Sequence, residues 1–186
     1  MSDEPLETGL IGGAEKRDIR IVDYDPGWPK KFEAHAKVIA GALGRAALRI
    51  EHVGSTSVPG LAAKPIIDIL VVVPDSADES VYLPRLEAAG YVLRVREPDW
   101  NEHRMFRTPE QDAHVHVYSA GCPEVERNLA FCERLRRNRE DRSRYERAKR
   151  ELAAEEWPDM NAYAEAKTEV IESILAASRA AGEVSR

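Results

Sequence analysis

The chain has little sulfur. Its 186 residues include two cysteines, Cys122 and Cys132. That excludes a disulfide-stapled scaffold, and no Cys-x-x-Cys pair suggests a redox or zinc site. Cys132 stands at helical spacing among apolar neighbours, as a small core residue does. Long apolar runs are also missing. No stretch approaches the roughly 18 apolar residues of a membrane helix, and residues 1–16 lack the apolar segment of a signal peptide. There is no basic excess either. The net charge of −6 gives no global attraction to nucleic acid or to an anionic membrane. These absences predict a cytoplasmic protein that uses neither as a partner.

What is present is an ordinary globular composition, 43% hydrophobic and 32% charged, enough for one core and well-solvated helices. Residues 1–17 read as a flexible tail and 18–182 as a single domain. Asp25-Pro26 reads as a helix start with Asp25 as the capping acceptor, and the helix runs over 28–43 to a stop at Gly44. Residues 48–53 alternate apolar and polar, as a half-buried strand does. Residues 65–73 form a near-continuous β-branched run, the mark of a strand covered on both faces. A helix follows over 81–89, then strands over 91–96, 104–107 and 114–118. From Pro123 onward the pattern is helical, with three helices marked by Val125, Leu129, Cys132 and Leu135, by Tyr145, Ala148 and Leu152, and by Tyr163, Val170, Ile174 and Leu175. Residues 19–22 read as a short strand or an extended approach segment. The class is α/β (α+β), with four or five strands in the body and C-terminal helices.

The chemistry concentrates in His52-Val53-Gly54-Ser55-Thr56-Ser57-Val58-Pro59-Gly60-Leu61-Ala62-Ala63-Lys64-Pro65-Ile66-Ile67-Asp68-Ile69-Leu70. Gly54 permits close backbone approach or a positive φ. Ser55, Thr56 and Ser57 add hydroxyls, successive amides can form an anion nest, and Lys64 supplies a point charge. Asp68 inside an apolar run is costly unless paired, hydrogen-bonded or metal-bound. The plain alternative is a small-residue turn whose Asp68 pairs with Lys64 or an arginine. The stretch is neither a Walker A loop nor a dinucleotide fingerprint, because Gly60 is followed by Leu61 and no Gly-x-Gly-x-x-Gly opens a helix.

Turn, spacer and strand aspartate together resemble the signature of the nucleotidyltransferase superfamily. More closely, the chain resembles the GrpB family, also called UPF0157. Five stretches carry the likeness: Tyr24-Asp25-Pro26-x-Trp28-Pro29-x-x-Phe32-Glu33; residues 50–69; His103-Arg104-x-Phe106; His114-Val115-His116-Val117; and Phe131-x-x-x-Leu135-Arg136 with Tyr145 and Lys149. The resemblance implies a nucleotidyltransferase-like mixed sheet flanked by helices. Related domains fused to dephospho-coenzyme A kinase imply that enzyme as a partner. One departure matters. Active nucleotidyltransferases carry Asp-x-Asp or Asp-x-Glu on this strand, and a third carboxylate on a neighbouring one. Here Leu70 stands two residues after Asp68, on the same face, so the second carboxylate that two-metal chemistry needs is missing.

His114, His116 and Tyr118 alternate along one strand face. Two same-face imidazoles form a metal pair, and beside Asp68 they would complete a two-histidine, one-carboxylate set favouring zinc, iron or manganese. The alternative is a packed ring and a backbone-bonded one. His52 borders the turn, His103-Arg104 can reach an anionic substrate with Glu102 as a spare acid, and His35 reads as a surface residue. Residues 134–150 hold nine Lys or Arg against three acids. They form either a solvated face or an anion-binding wall, with Arg136 and Arg139 sharing a face if the helix continues.

The reading is a protein that takes a nucleotide or another phosphorylated small molecule with a divalent cation (Mg, Mn or Zn). Asp68 would be catalytic and a metal ligand with His114 and His116. Gly54, Ser55, Thr56, Ser57, Lys64, His52, Arg104 and Arg136 would bind ligand. Such a protein either transfers a nucleotidyl or phosphoryl group, or is a non-catalytic module that binds ligand or docks a partner in coenzyme A metabolism.

Overall fold

The computed structural model describes residues 9–13 and 18–180. Its centre is the strand that the sequence marks most strongly, β3 (Ile67–Val73). That strand lies between β2 (Arg49–Val53) and β6 (Ala113–Ser119), antiparallel to the first and parallel to the second. The antiparallel strands β5 (His103–Arg107) and β4 (Val92–Glu97) extend the sheet beyond β6, and β1 (Gly9–Leu10) closes that edge. The order is β1-β4-β5-β6-β3-β2. The sheet thus has six strands rather than four or five. The extra strand falls inside the expected tail, where Gly9 and Leu10 pair with Arg96 and Val95. Residues 1–8, 14–17 and 181–186 lie outside the described residues.

Alternation explains the continuous apolar run of β3. Ile67, Ile69, Val71 and Val73 face one side, with Trp28, Ile39 and Leu43 of α1 (Trp28–Leu43) and Leu86 of α2 (Leu83–Ala88). Leu70 and Val72 face the other side, beneath α3 (Pro123–Arg137) and α4 (Arg139–Ala153). Two further helices, α5 (Met160–Ala166) and α6 (Thr168–Ala180), complete that layer. Ile69 and Leu70 are fully buried on opposite faces, and each contributes about 1.5–3 kcal/mol. Asp68 shares the face of Leu70 and Val72, so it points toward the C-terminal helices.

Several local expectations need correction. Helix α1 spans the expected residues and stops at Gly44 (φ +54), but its N-cap is Gly27. Asp25 instead accepts the Gly27 amide at 2.7 Å, forming a turn ahead of the helix. The helix expected over 81–89 is a 3-10 turn (Glu79–Val81) followed by the short α2. The C-terminal part holds four helices rather than three. Asn138 takes extended geometry and caps α4 by accepting the Asp141 amide, so α3 and α4 are separate and Arg136 and Arg139 share no continuous helix face. Asp159 caps α5 through the Asn161 and Ala162 amides, and the expected last helix is divided at Lys167, between α5 and α6. His35 is partly buried and pairs its Nδ1 with the Tyr91 hydroxyl at 2.9 Å. Of residues 19–22, Val22 forms an isolated antiparallel bridge with Ala63.

Candidate functional site

The parallel register of β3 and β6 builds the site. It sets Asp68 beside His114 and Leu70 beside His116, on strands about 4.8 Å apart. The three polar side chains share one sheet face. His114 Nδ1 lies 3.5 Å and His116 Nε2 3.8 Å from Asp68 Oδ1. One donor atom from each falls within 4.8 Å of the others, a spacing at which one metal ion reaches all three. Asp68 therefore pairs with the two histidines. Burial pushes its carboxyl pKa up, but His114 and His116 in their protonated form outweigh burial through hydrogen bonds and charge, and hold it well below the usual carboxylate range.

The Gly-Ser turn closes one side of this group. Gly54 has φ +67 and ψ −174, and a Cβ there would sit 3.0 Å from Asp68 Cβ and 3.1 Å from its Cγ. Glycine is required because the backbone passes directly over the carboxylate. Ser55 and Thr56 line the cleft in front of Asp68. Ser57 turns away: its hydroxyl donates to Gly54 O at 2.8 Å and accepts from Arg136 Nη2 at 3.1 Å. Arg136 also donates to Ser57 O. It clamps the turn from outside and does not reach the cleft lining.

His52 holds the turn from beneath. Its ring stacks on Phe32 at 4.7 Å, and Nε2 lies 3.0 Å from Thr56 Oγ1. Since Thr56 donates its own proton to Ile66 O, His52 is the donor. Burial drives its pKa down to about 4, against the raising charge of Asp68 and with help from Arg136. A histidine with a folded pKa below its unfolded value of about 6.5 binds fewer protons when folded, so stability rises with pH between about 4 and 6.5. His52→Gln is expected to remove about 1–2 kcal/mol of that rise, allowing for partial exposure. Denaturant titrations at pH 4.5 and 7 check it, and equal slopes in both proteins would refute it.

The cleft in front of Asp68 has a volume of about 470 Å³, within the range of small-ligand pockets. Three lysines far apart in sequence line it, along with Arg94 and Arg107. Lys149 of α4 is buried and donates from Nζ to Ser55 Oγ (2.9 Å) and to Ala62 O. Burial, then the charge of Lys167, push its pKa down to about 7. Lys64 and Lys167 lie over the Tyr163 ring, at 5.0 and 4.8 Å. Tyr163 lines the same cleft, and its buried hydroxyl has no hydrogen-bond partner among the described residues. The sequence reading missed Lys167 and Tyr163. Their signal was Tyr163-x-x-x-Lys167, a pair four residues apart on one helix side. Lys149 was visible in the family likeness and in the basic run, of which it is the one cleft-lining member. Elsewhere in that run, Arg134 pairs with Asp141 at 2.6 Å, and Arg150 pairs with Asp23 and Glu146.

Two expected residues lie elsewhere. Arg104 is buried on the opposite sheet face, where it and Arg96 both bind Glu79. Glu102 lies 3.6 Å from that guanidinium. Adjacent strand residues point to opposite faces, so His103 and Arg104 cannot serve one ligand together. His103 is the one on the cleft side, bonded to Glu97 and His116 and packed against Trp100 and Tyr118.

The structure is thus a mixed α/β sheet that carries an Asp-His-His cluster, spaced as a metal ion requires, under a glycine turn beside a cleft. The GrpB protein family model matches residues 18–177, and the chain belongs to that family. It is 51% identical to a UPF0157 protein of Halalkalibacterium halodurans over 176 residues, covering 94% of this chain and 90% of that one. The crystal structure of the conserved protein GrpB from Enterococcus faecalis superposes with a TM-score of 0.70 at 32% identity, covering 84% of this chain and 99% of that one. A dephospho-CoA kinase of Mycolicibacterium paratuberculosis is 29% identical over 175 residues, and the match covers 80% of this chain and 43% of that protein.

Proposed function

We propose that this protein binds a nucleotide or another phosphorylated small molecule in the Asp68 cleft, together with a single divalent transition-metal ion. Asp68, His114 and His116 would hold the ion. Ser55, Lys64, Lys149 and Lys167 would take the phosphates, with the turn amides after Gly54 beside them. The observation that carries the reading is the convergence of the Asp-His-His cluster on a cleft with a lysine side. Imidazole donors favour zinc or manganese over magnesium, which prefers oxygen ligands. A metal at this position would polarise a phosphoryl oxygen, the step a nucleotidyl or phosphoryl transfer requires.

Leu70 favours a second reading, that of a non-catalytic binding or docking module. It is fully buried where a second carboxylate would stand, and β6 brings imidazoles beside Asp68 rather than a further acid. The match to part of a dephospho-CoA kinase supports such a module in a cytoplasmic role in coenzyme A metabolism, with that enzyme as partner.

A thermal-shift screen separates these readings from an empty cleft. Nucleotides and coenzyme A precursors are tested with Mg(II), Mn(II) or Zn(II). The expected result is a metal-dependent rise in midpoint with a phosphorylated compound, since a ligand at 100 times its Kd adds about 2.7 kcal/mol. Lys167→Met is expected to weaken that ligand about 10-fold, as loss of a charge-assisted hydrogen bond does. If no compound or metal moves the wild-type midpoint, the cleft is not this kind of site. Turnover of a nucleoside triphosphate would decide for the enzyme.

A further inference from the structure

Behind the Asp68 cluster lies a chain of hydrogen bonds that ligand binding by itself does not explain. Glu97 stands opposite His103 in the antiparallel register of β4 and β5, and its Oε2 lies 2.7 Å from His103 Nδ1. The other ring nitrogen, His103 Nε2, lies 3.0 Å from His116 Nδ1. The two imidazole planes are nearly parallel, 15° apart. Tyr118 stacks on His103 at 4.9 Å and Trp100 meets it edge-on at 5.5 Å. The ring is thus held on both sides and cannot easily turn.

Proton counting along this chain has one outcome for neutral rings. An ionised carboxylate only accepts, so His103 Nδ1 carries the proton. A neutral imidazole has a single N–H, so His103 Nε2 must accept, and His116 Nδ1 must donate. The remaining nitrogen of His116, Nε2, then has a free lone pair, and it is the atom 3.8 Å from Asp68 Oδ1. The opposite tautomer would place an N–H there and close the position to a cation. Which imidazole nitrogen binds metal is set by the hydrogen bond of the other.

We propose that Glu97 and His103 are positioning residues that fix His116 as its Nδ1–H tautomer, so that Nε2 is presented with His114 and Asp68 to a transition-metal ion. The assignment rests on the metal reading given above, and its test is chosen to separate the two. The full-length protein, metal-free and labelled with nitrogen-15 at histidine, is studied near neutral pH by imidazole nitrogen–carbon-proton correlation. Both His103 and His116 are expected to show Nδ1 protonated. His116 protonated at Nε2 would overturn the proposal.

Cobalt(II) titration followed by visible absorption supplies the second measurement. Glu97 is partly exposed, so its replacement leaves the cores intact. Glu97→Ala, which frees His103 to adopt either tautomer, is expected to weaken cobalt about 10-fold. Glu97→Gln keeps an acceptor oxygen without the charge and is expected to stay close to wild type. Equal cobalt affinity in Glu97→Ala and wild type would refute the positioning role. If the wild type binds no cobalt, the metal reading fails, and the nitrogen spectrum alone decides the tautomer.

Discussion

Gly54→Ala is expected to unfold about 10 °C below the wild type and to lose metal binding. The backbone at Gly54, φ +67 with ψ −174, lies in a region nearly confined to glycine, where another residue costs about 1–3 kcal/mol. The new methyl would also press on Asp68 Cβ and Cγ at 3.0 and 3.1 Å. Asp68 is anchored in a central strand, so the turn must give way, at about 1–3 kcal/mol for an overpacked contact. In a chain of this size each kcal/mol moves the midpoint by about 2–4 °C. A thermal scan with and without Zn(II) reads both effects. A midpoint within 2 °C of wild type with zinc stabilisation intact would mean that the turn relaxes freely and does not define the site.

Asp68→Asn is expected to weaken Zn(II) or Mn(II) at least about 100-fold, beyond the 10–100-fold typical of residues that only support a ligand. It removes the sole carboxylate of the cluster and leaves a neutral side chain of the same shape. The metal-free protein should change in a second way. The Asp68 carboxyl is held below its unfolded value by His114 and His116, so it contributes stability above the unfolded pKa of about 3.9. That contribution is lost as pH falls through the lower folded value. Asp68→Asn should therefore lose less stability than wild type on acidification below about pH 4. Calorimetric titration and acid unfolding check the two halves. Unchanged metal affinity would remove Asp68 from the ligand set.

Much of the fold was legible because it follows from periodicity. The run over 65–73 alternates between two apolar faces, and both are covered. Helix α1 and its glycine stop follow from local chemistry. The helix break at Lys167 was harder to read, because no glycine or proline marks it. The pairing of Gly9 and Leu10 with β4 carries no local signal, since two residues show no period.

For the site, the sequence by itself determined that a glycine turn leads into a buried strand with one acid and no second, and that His114 and His116 share a face. Those are properties of chain neighbours and of the two-residue repeat of a strand. Only the tertiary structure decided that His114 sits beside Asp68, because strand order and register depend on contacts between segments about 45 residues apart. It likewise placed Lys149 and Lys167 across the cleft, turned Arg104 to the opposite face beneath Glu79, and joined Glu97, His103 and His116 in one line. A side chain's type is local, but its partner is set by which faces the folded sheet and helices bring together.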